Sequence, residues 1–468
     1  MTIFRNIGYL SIAQLLSSVF GFITLTILSR ALGPANFGIL GFGTAVLGFL
    51  GIFVTLGSDH YGAREIARRE TDASAVTVQL LILRFLLAGL AYCILVIFDF
   101  ITNRGALESH VLLIQGLGVF VTAFTLDYLF QGLRRMDWIA FRQIGTASLV
   151  LISVSLFVDE PGDLITATWI YILAGGLLIT VVFVRGVYLV GPQILGFPNN
   201  RWRLILIALL PIAISSAMQT FILNTDLVML GIMRTHEEVG LYTAAVRIGM
   251  LALIPAGLVA AAFFPELARH AENSEKRYPA AQKYTVILIL LGVPLPCLIL
   301  IQPSHVVEIV FGSAFLASAN VLGLMMVSSL IIHLRMTLDT PLIAWNFERM
   351  HMKICLIGAF ANVLLNAALI PKFGMTGAVS ASLLSQVLMT FGFSWIYRSH
   401  IGKLQLSPVL RVCLSAGLSY LVTLGALYNF LPSDLSPIVQ FLSTSTVFSI
   451  CYLVFGYSLV WRHFLILR

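Results

Sequence analysis

Fourteen stretches of about twenty apolar residues recur along the chain, each holding at most one charged residue. They lie near 7–28, 37–57, 76–98, 111–131, 142–158, 165–188, 204–231, 239–262, 284–302, 316–338, 353–371, 375–397, 408–428 and 436–460. A run of this length matches the hydrocarbon thickness of a bilayer. There every backbone N–H and C=O must be satisfied within the protein, which an isolated apolar run achieves only as a helix. Only 10% of the 468 residues are charged, so the chain cannot clothe itself in polar surface and the solvent for most of it is lipid. The expected fold class is an all-α integral membrane protein of fourteen transmembrane helices. The first run, preceded by Arg5, is too long for a signal-peptide core and reads as an uncleaved span.

Basic residues orient the spans, because Lys and Arg are retained on the cytoplasmic side. With the N-terminus inside, 21 of the 28 Lys and Arg fall on the inner side. Four (Arg30, Arg104, Arg234 and Lys372) fall outside, and Arg84, Arg247 and Arg335 lie within spans. Acidic residues collect outside, as in Asp159-Glu160-Pro161-Gly162-Asp163. A shift by one span destroys this alternation, so both termini are expected to be cytoplasmic. The net charge of +7 is therefore a topogenic signal; no basic run with interleaved aromatics points to nucleic acid. The five cysteines stand apart in apolar stretches and the histidines are scattered, which argues against disulfides and a zinc site. The loops are too short to fold as domains, which disfavours a membrane polymerase or ligase of polysaccharide.

The halves resemble each other. Arg30-Ala-Leu-Gly-Pro-Ala-Asn-Phe-Gly38 and then Arg64-Glu65-Ile66-Ala67-Arg68 are matched by Arg234-Thr-His-Glu-Glu-Val-Gly240 and then Pro265-Glu266-Leu267-Ala268-Arg269. Leu126-Asp127 with Arg135-Met136 is matched by Leu338-Asp339 with Arg349-Met350. Spans 1–6 thus pair in parallel with spans 7–12, a recurring transporter plan with substrate bound between the halves. The expected organisation is a first lobe over 1–192, a cytoplasmic linker over 193–203, a second lobe over 204–400 and two further helices over 401–468.

Leu28-Ser-Arg-Ala-Leu-Gly-Pro-Ala-Asn-Phe-Gly38, Arg64-Glu-Ile-Ala-Arg68 and Pro371-Lys-Phe-Gly-Met-Thr-Gly-Ala-Val-Ser-Ala-Ser382 resemble the polysaccharide-biosynthesis flippases of the Wzx type. Their superfamily also holds the MATE drug exporters and the lipid II flippase. The resemblance implies a V-shaped, two-lobed transporter working by alternating access in the bacterial inner membrane, and no enzymatic activity. The implied cargo is an oligosaccharide on undecaprenyl diphosphate, flipped to the periplasmic leaflet for O-antigen, capsule or exopolysaccharide assembly. Membrane lipids and glycan polymerase or assembly proteins are the implied partners, and the protein is expected to be a monomer. A cation-coupled multidrug exporter of the same fold is the nearest alternative, but such a cavity would favour acids, whereas the embedded arginines here favour an anion.

A charge at the bilayer centre is costly, so it normally faces a cavity or a partner. Arg84, Arg247, Arg335 and Arg30 are spread from the inner to the outer ends of their spans and are the candidates for binding the substrate's diphosphate, since arginine stays ionised and grips phosphate oxygens with a planar fork. Asp127 and Asp339, partners in the repeat, are candidates for gating or packing, with Arg335 and Asp339 four apart on one helix face. His333 reads as a packed residue. By depth counting, Asp226, Asn366 and Ser382 sit at comparable levels, with Asn362 one turn deeper. These oxygen donors suit a hard cation such as Na⁺ and resemble the sodium site of the lipid II flippase, with Asn366 in place of a second acid. No other cofactor is expected. Coupling to Na⁺, to H⁺ through Asp226, or to no ion stays open.

Overall fold

The computed structural model describes residues 2–68, 73–191, 202–272, 274–402, 406–430 and 436–456. Those residues are almost wholly α-helical, with no strand among them. The helices are α1 (Thr2–Thr55), α2 (Ser58–Arg68), α3 (Ala73–Thr102), α4 (Ala106–Gly116), α5 (Gly118–Ala123), α6 (Asp127–Gly132), α7 (Met136–Phe157), α8 (Leu164–Val190) and α9 (Trp202–Met233). They continue as α10 (His236–Ala252), α11 (Ile254–Arg269), α12 (Ser274–Gly292), α13 (Pro294–Ile301), α14 (Pro303–Phe311), α15 (Ala319–Ala344), α16 (Glu348–His400), α17 (Leu406–Phe430) and α18 (Pro437–Gly456).

Eleven helical segments among the described residues are long and apolar enough to cross a membrane. Two of them, of 57 and 53 residues, are more than twice the ~20 residues that a span needs. Each contains a glycine with non-helical backbone, Gly33 (φ 73, ψ 173) in α1 and Gly374 (φ 57, ψ −134) in α16. A positive φ is strained for any residue with a Cβ, so glycine is the residue that permits the break. The chain doubles back at Gly374. Asn362 Nδ2 lies 3.2 Å from Ser382 Oγ, whereas twenty helical residues would hold them ~30 Å apart. The turn is tight enough that a Cβ on Gly377 would stand 2.4 Å from the Leu369 carbonyl oxygen.

Other spans are built from shorter pieces than the hydropathy pattern suggests. The stretch near 111–131 is three helices, broken at Leu117 and again between Ala123 and Asp127. The stretch near 239–262 breaks at Leu253, after which α11 starts at Ile254 with Pro255 in its first turn. The one near 284–302 breaks at Val293 before Pro294. Proline is tolerated in a first turn because its missing N–H would be unpaired there anyway. Two amphipathic segments, α2 and α14, lie where the sequence reading placed loops.

The chain divides into two compact units, Met1–Gly231 with Thr235–Gly240, and Ile232–Arg234 with Leu241–Arg468. Helix α9 groups with the first unit as far as Gly231. Its residues pack on α1: the Phe221 and Phe49 rings meet edge-on at 5.0 Å, and Gly231 lies against Phe42. The first unit has one core around Ile66, Leu80, Tyr128, Leu129 and Phe130, and another around Val54, Ala88, Ala91 and Val119. The second is cored by Leu267, Tyr284, Leu342, Trp345, Phe393 and Phe448. Large apolar side chains such as Phe100, Leu173, Phe391, Trp395 and Leu453 stand exposed on the outside. That surface fits the hydrocarbon of a bilayer.

Candidate functional site

In the first unit the charged centre is built around Arg84 on α3, whose side chain is 1% exposed. The chain leaves α1 through two left-handed residues, Leu56 (φ 44) and Gly57 (φ 72), and this turn delivers Ser58 and Asp59 to the first turn of α2. Arg84 Nε donates to Ser58 Oγ at 2.6 Å and Nη2 to Asp59 Oδ1 at 2.8 Å. Nη1 donates at 3.0 Å to the Thr125 carbonyl, in the break between α5 and α6. The guanidinium also lies 4.6 Å from the centre of the Tyr128 ring. One cation thus neutralises a carboxylate and ties together a turn and a broken helix, which is how a charge can persist among apolar helices. Expected as a substrate contact, Arg84 is enclosed by protein groups in this structure. Asp59 keeps 44% of its side chain exposed.

Asp127, at the start of α6, is held by Arg142 of α7 in a two-pronged pair, with Nε to Oδ1 at 2.9 Å and Nη2 on Oδ2. Asp339 is buried on α15, accepting from Arg335 Nη1 at 2.8 Å and from the Thr340 hydroxyl at 3.3 Å. The Arg335 guanidinium lies 6.0 Å from the Phe393 ring, and its buried Nε–H has no acceptor among the described residues. Both candidate acids are therefore ion-paired. His333 is fully buried with Nδ1 2.6 Å from the Ser329 carbonyl, and it is packed so closely on Gly292 that a Cβ there would lie 2.1 Å from its ring. Arg30 on α1 is exposed and Arg247 on α10 is partly buried, each engaging other protein groups.

Of the four residues expected to hold a cation, the structure gathers three. Asn362 Nδ2 reaches Ser382 Oγ, and Asn366 Nδ2 donates to Asn362 Oδ1 at 3.0 Å. Ser385, missed at sequence level, joins them 3.4 Å from Asn362 Nδ2, with its own hydroxyl donating to the Ser382 carbonyl at 2.9 Å. Its position three residues after Ser382, on the same helix face, was the available signal. Gln386, four residues after Ser382, has a buried Oε1 that no donor among the described residues reaches. Amide and hydroxyl oxygens of this kind suit a hard monovalent cation, and they leave the charge to be supplied by a carboxylate. Asp226 is buried on α9, in the other compact unit. No group of three or more His, Cys, Asp or Glu suited to a metal occurs among the described residues.

A close backbone crossing joins the segment around Gly38 to the segment around Gly240. A Cβ on Gly38 would lie 1.8 Å from the His236 carbonyl oxygen, and a Cβ on Gly240 would lie 1.8 Å from that of Pro34. Glycine at both positions lets the second half of α1 and the start of α10 touch backbone to backbone. The contact is flanked by the His236 Nε2–Glu108 Oε1 pair at 2.6 Å and by Asn36 Nδ2 donating to the Pro161 carbonyl at 2.9 Å.

These helices have known counterparts. The chain is 24% identical over 405 residues to a protein named as an O-antigen transporter in Escherichia coli K12, a match spanning 82% of this chain and 94% of that one. It is 26% identical over 208 residues to a protein named as a low-salt glycan biosynthesis flippase in Haloferax volcanii, with the match covering 44% of this chain and only 43% of that protein. Among solved structures, the fold resembles the lipid II flippase MurJ in an inward closed conformation, with a TM-score of 0.76 over 97% of this chain and 99% of that one at 13% identity. An inward-facing multidrug resistance transporter of the MATE family matches with a TM-score of 0.64 over 83% of this chain and 97% of its own at 15% identity. The model of the family described as polysaccharide biosynthesis protein matches residues 3–271, more than half of the sequence, and the chain, a multi-pass membrane protein, belongs to that family.

Proposed function

We propose that the protein flips an undecaprenyl-diphosphate-linked oligosaccharide from the cytoplasmic to the periplasmic leaflet, supplying O-antigen, capsule or exopolysaccharide assembly. The observation that carries this reading is the relative named as an O-antigen transporter, whose match runs through 82% of this chain and 94% of its own. The likeness to MurJ contributes the fold, which in that protein is the fold of a lipid II flippase.

Fourteen spans with both termini cytoplasmic follow if α1 and α16 are each two spans and the 32-residue α9 is one more. The lobes then run over 1–192 and 204–400, with 193–203 between them and two helices after them. The two-repeat reading gains some support from a loosely similar side-chain-to-carbonyl bond in each unit. Arg84 of α3 bonds a carbonyl two residues before Asp127, and Tyr284 of α12 bonds the Met336 carbonyl three residues before Asp339. Transport proceeds by alternating access. The diphosphate is escorted by Arg247, Arg335 and Arg30, and by Arg84 once its pair with Asp59 opens. Asp127 and Asp339 hold the helices that move. A cation taken up by Asn362, Asn366 and Ser382, with Asp226 supplying the negative charge, couples the cycle to an ion gradient.

A deletion strain tests the function. Loss of a surface glycan, accumulation of its lipid-linked unit and rescue by the intact gene are expected. Unaltered glycan together with hypersensitivity to cationic drugs would replace this reading with that of a multidrug exporter.

A further inference from the structure

One arginine outside the transport machinery is placed for another purpose. Arg185, near the end of α8, lies between two aromatic rings, with its guanidinium carbon 5.3 Å from the centre of Trp138 on α7 and 5.0 Å from that of Tyr188 on α8. Among the described residues no carboxylate pairs with it, and its buried Nε–H finds no acceptor. In an apolar surround an unmade hydrogen bond to a charged group is expensive, so this partly exposed arginine favours an acceptor that the described residues do not supply.

Its depth identifies the acceptor. The opposite end of α8 begins after Pro161–Asp163, where the Asp163 carboxylate binds the backbone of Asp159 and Glu160. That acidic turn belongs in water, so hydrocarbon starts at about Leu164. A core ~30 Å thick takes ~20 residues at 1.5 Å each and ends near Val184. Leu173, Leu177, Val181 and Val184 form an exposed apolar row along α8. The row ends at Tyr188, which is 78% exposed. Arg185 is therefore at the level of the phospholipid phosphates, with Trp138 and Tyr188 as the amphipathic rings that favour this depth. Arg134 and Arg135 stand in the turn just before Trp138, where the positive potential of Arg135 is partly offset by its pair with Asp137 at 3.6 Å.

We infer that Arg185, clamped by Trp138 and Tyr188, is a binding site for the phosphate of an anionic phospholipid at the rim of the first unit. The guanidinium meets phosphate oxygens with its fork, the rings exclude water from one side, and the acyl chains lie along the Leu173–Val184 row. Only the assignment to the cytoplasmic leaflet rests on the orientation proposed above; lipid capture itself needs no transport.

The test uses the purified full chain, delipidated in detergent and titrated with phosphatidylglycerol or with phosphatidylcholine of the same acyl chains. Retained lipids are counted by native mass spectrometry. Wild type should retain phosphatidylglycerol ~5-fold over phosphatidylcholine, the discrimination expected of one well-placed basic residue. Arg185→Gln should abolish that excess, and Arg185→Lys should keep part of it. Tyr188→Leu, at a site exposed enough to tolerate the change, should reduce it, so the reading stays testable if Arg185→Gln folds poorly. Equal retention of both lipids by wild type, or a full excess in Arg185→Gln, would overturn the inference. Displacement of phosphatidylglycerol by inorganic phosphate would assign the site to a free anion and overturn it as a lipid site.

Discussion

Arg84 offers the sharpest separation between a structural and a transport role for a membrane-embedded charge. Replacing it with alanine removes donors from Ser58 Oγ, Asp59 Oδ1 and the Thr125 carbonyl, and takes the cation away from Tyr128. Breaking a buried ion pair typically costs ~3–5 kcal/mol. Here Asp59 can turn to water through its exposed half, which moves the expectation to the lower end, ~2–3 kcal/mol. Arg84→Lys retains the charge but cannot serve three acceptors placed around a planar fork, so a smaller loss of ~1–2 kcal/mol is expected. The assay is thermal unfolding of the purified variants in detergent, read beside glycan display in a deletion strain at matched protein level. If the bonding described here is what Arg84 is for, Arg84→Ala and Asp59→Ala should each destabilise, and the double variant should cost much less than the sum of the two. Unchanged thermal stability in Arg84→Ala would refute that reasoning. Lost display in such a stable variant would show that the side chain serves the substrate's anion instead.

Four further outcomes follow. Reporter fusions after Arg30, Asp163, Arg234 and Lys372 should report the periplasm and those after Arg142 and Lys283 the cytoplasm; one inverted pair would break the fourteen-span arrangement. Gly240→Val places side-chain atoms where the Pro34 carbonyl stands, so it should lower the unfolding temperature by the equivalent of ~1–3 kcal/mol, and an unshifted transition would mean that the crossing is not held in the protein. Asp226→Asn should abolish Na⁺-induced thermal stabilisation while expression persists; an intact Na⁺ response would remove this carboxylate from any cation site. Arg247→Ala should impair glycan display and Arg247→Lys should restore part of it, whereas full complementation by the alanine variant would exclude Arg247 from the anion's route.

The helical membrane architecture was legible in the sequence because hydropathy is written at the scale of the bilayer, one run of about twenty residues at a time. What hydropathy does not encode is where a helix breaks inside an apolar run. The break between α5 and α6 falls in Phe124-Thr125-Leu126, which contains neither glycine nor proline, and the structure accommodates it because Arg84, forty-one residues earlier, binds the freed carbonyl. The amphipathic α2 and α14 were hidden for the opposite reason: eleven and nine residues are too few to register as spans, so they read as loops. Gly374, by contrast, was in plain view in Pro371-Lys-Phe-Gly374, a turn signal between two apolar runs.

Pairing was legible only where it is local. Arg335 and Asp339, four apart on one helix, could be joined from spacing alone, and they are. Asp59 with Arg84 and Asp127 with Arg142 span 25 and 15 residues across separate elements, so the sequence offered each charge without its partner. An embedded arginine with no visible partner reads as a binding group, and that is how Arg84 was read. The structure changes the energetics of the argument. A cation already neutralised by an adjacent carboxylate gains less from an arriving phosphate, because Asp59 must first be released into water. For Arg84 to serve a diphosphate, that release has to be coupled to the rearrangement of α2 against α3. This makes Asp59, half exposed and bonded to the same guanidinium, the residue whose substitution should free Arg84 for an anion. Asp59→Asn, which keeps one hydrogen bond and removes the charge, should therefore raise the affinity of the purified protein for a diphosphate-bearing lipid if Arg84 lies on the substrate's route. If Arg84 is purely a structural tie, Asp59→Asn should lower stability and leave that affinity unchanged.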